Sequence, residues 1–211
     1  MILWTLRHTK PYNPDNLCYG RADFDVSSTF EKEYPPALDI LERGSRPERI
    51  FASPLLRCVR LADKVSERLG LPYGTDPAII ELNFGSWERH RLDLVPRNEM
   101  AAWLADLRGF RFPDGESFHD MDVRVKAFLA ECIGKNFREI LWVTHAGVIA
   151  ALEHSVCGVP EDDFVEGRFP YAMVTRFDIQ EKGGKLTGTF ETKYGGLTQP
   201  PLDLAAKALG K

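Results

Sequence analysis

Three short apolar runs each end abruptly in residues suited to chemistry, and this pattern limits the fold more than any other feature of the chain. Residues 2–6 (Ile-Leu-Trp-Thr-Leu) run into Arg7-His8, Ile50-Phe51-Ala52 runs into Ser53-Pro54, and residues 139–144 (Glu-Ile-Leu-Trp-Val-Thr) run into His145. Short apolar runs bounded by such breaks read as buried strands. A helical period follows the second: Leu56, Val59, Ala62, Val65 and Leu69 recur at three- and four-residue spacing. Ser53-Pro54 is the expected N-cap and first helical proline of that helix, and Gly70 its stop. His145-Ala146-Gly147 opens another apolar helix that ends near Gly158. Strands alternating with helices predict an α/β fold, a three-layer sandwich with a mostly parallel central sheet and helices on both faces.

The rest of the chain is arranged around that unit. Residues 84–120 are rich in Arg, Trp and Asp, carry an expected helix over 97–108 and turn at Pro113-Asp114-Gly115. They read as an insertion over one edge of the sheet, near the mouth of any site there. A helix from about 117 to 134 follows, and segments 171–179 and 185–193 alternate around Gly183-Gly184 as a hairpin. With 211 residues, 44% hydrophobic and 27% charged, the chain suits a single globular domain over 1–211.

Charge and cysteine usage narrow the partners. A net charge of −4 gives no general attraction to nucleic acid or an anionic membrane, so a phosphate-bearing ligand would need a local basic site. No run reaches the roughly 18 apolar residues that span a bilayer. The first apolar run has no basic leader and is too short for a secretion signal. Cys18, Cys58, Cys132 and Cys157 are widely spaced and form no CxxC pair, which points to reduced thiols and a cytoplasmic setting. No aspartate cluster or HExxH spacing calls for a metal, and no cofactor is expected.

In an open parallel sheet, ligands bind in the crevice beyond the carboxyl ends of the strands. Arg7, His8, Arg57 and His145 all fall at that edge. Arginine presents a planar fork that binds phosphate oxygens bidentately. Histidine offers an imidazole that is neutral, and so nucleophilic, near neutral pH. Each residue alone also fits a surface charge or a helix cap; it is their coincidence at one edge that points to a phosphate site. Tyr19, Phe84 and Trp87 fit an apolar pocket wall and the core equally well. His90, His119 and His154 share no motif with the others and read as surface or structural.

The same residues carry a family resemblance. Leu6-Arg7-His8-Thr9, followed by Cys18-Tyr19-Gly20-Arg21-Ala22-Asp23, resembles the opening of the histidine phosphatase superfamily, the phosphoglycerate-mutase-like enzymes. The Arg-His-Thr start with Cys-Tyr-Gly ten residues on is most similar to its α-ribazole-phosphatase branch. Ser53-Pro54-Leu55-Leu56-Arg57 resembles the second motif, Glu81 to Glu88 the acid motif, and Gly115-Glu116-Ser117 with Arg124 a loop-and-helix segment. Val143 to Val148 resembles the closing histidine motif. The matches lie in family order over roughly residues 2–150. The departures are Thr9-Lys10-Pro11 in place of Gly-Glu-Thr, Asn13 offset by one from the family's asparagine, Leu61 for threonine, and Arg89 for glycine.

The resemblance implies that His8 attacks phosphorus and that the resulting phosphohistidine is hydrolysed. Arg7, Arg57, Asn13 and a protonated His145 would hold the phosphoryl oxygens of a small phosphomonoester. Glu81 would protonate the leaving group, and its apolar neighbours Ile79, Ile80, Phe84 and Trp87 suit a carboxyl that carries a proton. Glu88, Glu116 and His119 are second candidates near the mouth. The resemblance suggests α-ribazole 5′-phosphate, in cobalamin synthesis, as substrate. A phosphoglycerate mutase, a broad-specificity sugar-phosphate phosphatase and a non-catalytic phosphate-binding module remain as alternatives. The family's mutases are usually longer and carry an extra basic segment around the acid motif, where this chain is short.

Overall fold

A computed structural model describes residues 1–160 and 169–197. In chain order the elements are β1 (Ile2–Arg7), α1 (Phe30–Glu33), α2 (Pro35–Gly44), β2 (Arg49–Ala52), α3 (Leu56–Leu69), β3 (Tyr73–Thr75), α4 (Arg97–Ala105), α5 (Phe118–Gly134), β4 (Glu139–Thr144), α6 (Ala146–Cys157), β5 (Val174–Lys182) and β6 (Lys185–Tyr194). Six strands form one sheet in the order β3-β2-β4-β1-β5-β6. The first four are parallel, and β5 and β6 run antiparallel at one side. The expected α/β sandwich is therefore the architecture found, with a mixed sheet.

Side chains alternate across each strand, which divides the core in two. Leu3, Ile140, Trp142 and Phe177 point to the face covered by α5 and α6. Trp4, Leu6, Leu141, Val143 and Val174 point to the face covered by α2 and α3. The central strands are buried on both faces, so their sequences read as unbroken apolar runs. Among the described residues no helix is long and apolar enough to cross a membrane.

Several boundaries differ from expectation. Helix α3 begins at Leu56 with Leu55 as its cap, so Ser53-Pro54 neither caps nor starts it; the Ser53 hydroxyl is engaged elsewhere. Helix α4 stops at Ala105, where Asp106 leaves the helical region with φ −147° and ψ 80°. Strand β5 starts only at Val174, because Ala172 takes a left-handed φ of 58° that interrupts extended pairing. The hairpin turn itself falls at Gly183-Gly184, both with positive φ. Helices α1 and α2 and the short edge strand β3 are further elements. The 84–116 segment is held by an aromatic group, Trp87 and Phe84 packing on Phe112, and by backbone bonds between Cys18 and residues 89–90.

Candidate active site

Register brings three strand ends level. Arg7 pairs with Thr144 and Ala52 with Val143, so β1, β2 and β4 finish together. The next residue of each, His8, Ser53 and His145, therefore opens onto the same crevice. The His8 amide donates to the Thr144 carbonyl at 3.0 Å and the Ser53 amide to that of Val143 at 2.9 Å.

His8 and His145 are fully buried, with ring centroids 5.2 Å apart. The His8 Nδ1 lies 2.7 Å from the Thr9 carbonyl, an acceptor only, so that nitrogen carries the hydrogen and Nε2 keeps its lone pair. Arg57 Nη2 donates to His145 Nδ1 at 3.2 Å, which leaves the Nε2–H of His145 to bond Ser53 Oγ at 2.7 Å. Burial, then Arg57 and Arg7, holds the pKa of His8 well below that of free imidazole. Burial, then Arg57, His8, Arg7 and Arg124, does the same for His145. A protonated His145 is thus not what these surroundings favour: both rings are neutral, and only an added negative charge opposes the arginine field.

Arg57, on the first turn of α3, is fully buried and donates to the carbonyls of Gly20 at 2.6 Å and Ala22 at 3.1 Å. Its guanidinium lies 5.2 Å from the Tyr19 ring. Arg7 donates to the Phe169 carbonyl and sits 4.2 Å over the Tyr171 ring. The two tyrosines meet hydroxyl to hydroxyl at 2.7 Å, with Tyr171 5.6 Å from His8. Among the described residues, the Nε–H groups of Arg7 and Arg57 are buried without a partner. Among the described residues neither arginine is paired with a carboxylate, so both charges face the crevice as sites for an anion.

Glu81 reaches the same crevice from the other side. Its carboxylate accepts from the Leu82 amide at 2.9 Å and the Gly147 amide at 3.2 Å, the latter two residues beyond His145. A Cβ at position 147 would fall 2.3 Å from Glu81 Oε1, so the close approach of carboxylate to helix α6 requires glycine there. Arg124 donates to the Ala78 and Glu81 carbonyls and holds the segment from behind.

Other sequence candidates lie outside this group. Asn13 uses its amide on its own loop, donating to the Leu17 carbonyl and accepting from the Leu17 amide, so it is not brought to the arginines. Glu116 binds Arg124, Arg21 and the Asn83 amide. Glu88 accepts the backbone amides of Arg21, Ala22 and Phe84. His119 is exposed beside Arg108, His90 contacts the Glu88 carbonyl, and His154 contacts the Val159 carbonyl and Arg108. Trp87 is core and donates to Glu99, Phe84 packs on Phe112, and Tyr19 belongs to the site. Ser53 and Tyr171 are site residues that sequence reading missed; the Ser-Pro pair mimics a helix cap, and Tyr171 has no motif around it. Among the described residues no cluster of three or more His, Cys, Asp or Glu could hold a metal ion.

Two buried arginines around a buried neutral imidazole form a site for an oxyanion next to a nucleophile. Comparison with known proteins agrees, since residues 3–192 match the histidine phosphatase superfamily, branch 1. The chain belongs to that family. Its class is that of the phosphoric monoester hydrolases. The adenosylcobalamin/alpha-ribazole phosphatase of Escherichia coli K12 is 29% identical over 86% of this chain and 92% of its own. A probable phosphoglycerate mutase GpmB of Enterobacter sp. strain 638 is 26% identical over 95% of this chain and 97% of its own. A solved mycobacterial glucosyl-3-phosphoglycerate phosphatase superposes with a TM-score of 0.79 at 23% identity, covering 93% of this chain and 99% of that one, and shows the shared fold.

Proposed function

We propose that this histidine phosphatase hydrolyses small phosphomonoesters without a metal, through a phosphohistidine on His8. The observation that carries the reading is the pair of buried arginines, each with an unpartnered Nε–H, flanking a neutral imidazole whose free nitrogen is Nε2. Arg7 and Arg57 hold the phosphoryl oxygens. His8 Nε2 forms its bond to phosphorus as the ester P–O bond breaks, and Glu81 gives its proton to the departing oxygen. Water then attacks phosphorus and yields a proton to Glu81, and the P–N electron pair returns to His8. A bound phosphoryl dianion offsets the arginine field and favours a proton on His145, which then completes the charge around the equatorial oxygens.

The finer reading is α-ribazole 5′-phosphate as substrate, in a cytoplasmic setting. It is supported by the Arg-His-Thr and Cys-Tyr-Gly pattern, by the name of the 29%-identical relative, and for the setting by four free cysteines. The test compares inorganic phosphate release from p-nitrophenyl phosphate and α-ribazole 5′-phosphate with isomerisation of 3-phosphoglycerate. Release from both esters is the expected outcome, with the higher kcat/KM for α-ribazole 5′-phosphate. Isomerisation without release would overturn the phosphatase reading, and release confined to other sugar phosphates would overturn the substrate.

A further inference from the structure

The carbonyls that hold Arg57 belong to a strap, residues 20–23, that is itself fixed from the opposite side. The Gly20 carbonyl, which accepts Arg57 Nη2 at 2.6 Å, and the Arg21 amide, which donates to Glu88 Oε1 at 2.9 Å, are the two ends of one peptide group. In a trans peptide those ends point in opposite directions. Carboxylate, peptide and guanidinium therefore stand in line, with the peptide dipole aligned to both charges. Glu88 also accepts the Ala22 amide, while the Ala22 carbonyl takes Arg57 Nη1 at 3.1 Å. The Phe84 amide, at 3.1 Å, fixes the carboxylate on its own segment. Gly20 permits this packing, since a Cβ there would fall 1.8 Å from the Leu82 carbonyl. The strap's far end is tied to α3 by the Asp23 carboxylate, which accepts the Leu56 amide at 2.8 Å.

We propose that Glu88 is a positioning residue that orients Arg57 through the Gly20–Arg21 peptide while leaving its charge unpaired. A carboxylate in direct contact would fix the guanidinium equally well, but it would neutralise the charge a phosphate needs. One peptide group of separation supplies rigidity from a charged acceptor and keeps the fork free. Three backbone donors occupy the carboxylate, so Glu88 is the anchor of the strap and not a proton donor to the leaving group. The inference rests on the phosphatase reading of the site.

A double-mutant cycle on the full chain tests it, with p-nitrophenyl phosphate for turnover and orthovanadate for binding by calorimetry. Glu88→Ala is expected to lower kcat/KM and weaken vanadate binding by roughly 10–100-fold. Glu88→Gln keeps one accepting oxygen and is expected to lose less. In an Arg57→Ala background, Glu88→Ala should cost under about threefold, because the group it positions is gone. Equal losses in both backgrounds, or unchanged vanadate binding by Glu88→Ala, overturn the proposal. If melting curves show that Glu88→Ala does not fold, Glu88→Gln carries the cycle with the same criterion. A wild-type chain that neither binds vanadate nor turns over the ester overturns both this proposal and the phosphatase reading.

Discussion

On the floor of the site, His8, Ser53 and His145 sit one residue beyond β1, β2 and β4, whereas the wall over residues 13–25 and 83–116 has no strand to place it. Sheet register fixes the floor, through ladder bonds that any sequence with the right apolar pattern can make. The wall is fixed by side chains that accept backbone amides: Asn13 from Leu17, Asn83 from Gly85, Glu88 from Arg21, Ala22 and Phe84, and Glu116 from Asn83. On the floor His8 keeps its Nε2 free to act on a ligand, with Ser53 and Arg57 holding His145 beside it, while these polar residues of the wall are already committed to backbone amides. A carboxylate beside a catalytic motif can thus be a strut, and only its hydrogen-bond partners separate the two roles.

Substituting the floor should have the largest effect. His8→Ala is expected to reduce turnover by at least about 10³-fold and to abolish acid-labile labelling from a ³²P-phosphomonoester, because the nucleophile is gone. Near wild-type turnover by this variant would end the phosphohistidine mechanism. Glu81 faces the floor from the other side of the crevice, and Glu81→Gln comes next, at roughly 10²–10⁴-fold for an alkyl phosphate. The loss should be smaller for p-nitrophenyl phosphate, whose leaving group departs with little protonation. Equal losses for the two esters would show that Glu81 only positions charge, provided that burst amplitudes show phosphoryl transfer to be rate-limiting for both.

The floor also makes stability depend on pH. Both imidazoles are held well below 6.5 when folded, while in the unfolded chain each titrates near that value. Below about pH 6.5 the unfolded chain takes up protons that the folded chain refuses, so this stability is complete at higher pH and is lost as pH falls. With two such groups the slope approaches about 2.7 kcal/mol per pH unit. Urea titrations between pH 7 and 5 measure it, and His8→Ala should remove about half. A slope that His8→Ala leaves unchanged would mean that His8 is protonated in the folded protein.

Ser53→Ala should act more gently, lowering kcat/KM about tenfold by releasing the Nε2–H of His145 from its 2.7 Å bond. Ser53→Thr should restore most of the loss. An alanine variant with unchanged kcat/KM would reduce Ser53 to a packing residue.

How far each region could be read from sequence follows the same division. Strands β1 and β4 were legible because burial on both faces leaves an uninterrupted apolar run, and Arg7, His8 and His145 stand where those runs break. Edge strand β3, only Tyr73-Gly74-Thr75, buries too little to leave a run, and Pro35-Pro36 disguises the start of α2. Ser53 resembled a cap because its true partner is 92 positions away. The neutrality of His145 depends on burial and on arginines gathered from three parts of the chain, Arg57, Arg7 and Arg124, which no local pattern records.

Asn13 gives the smallest expected effect and the sharpest separation of wall from floor. Family resemblance would make its amide a phosphate ligand, whereas the structure spends that amide on Leu17 at 2.9 and 3.0 Å. Asn13→Asp distinguishes the two, because the replacement has the same shape and a negative charge. Facing a phosphate dianion, the new carboxylate would repel it and lower kcat/KM by two orders of magnitude or more, on the scale of about 4 kcal/mol for two unit charges 4 Å apart near a protein surface. As a loop tie it still accepts the Leu17 amide and loses only the bond to the Leu17 carbonyl, at a cost of about 1 kcal/mol of stability. We expect the second result, with kcat/KM and vanadate affinity changed less than about threefold and a small drop in the urea midpoint. A large loss of vanadate affinity with an unchanged midpoint would show that Asn13 turns into the crevice when phosphate binds, and that this part of the wall moves with the ligand.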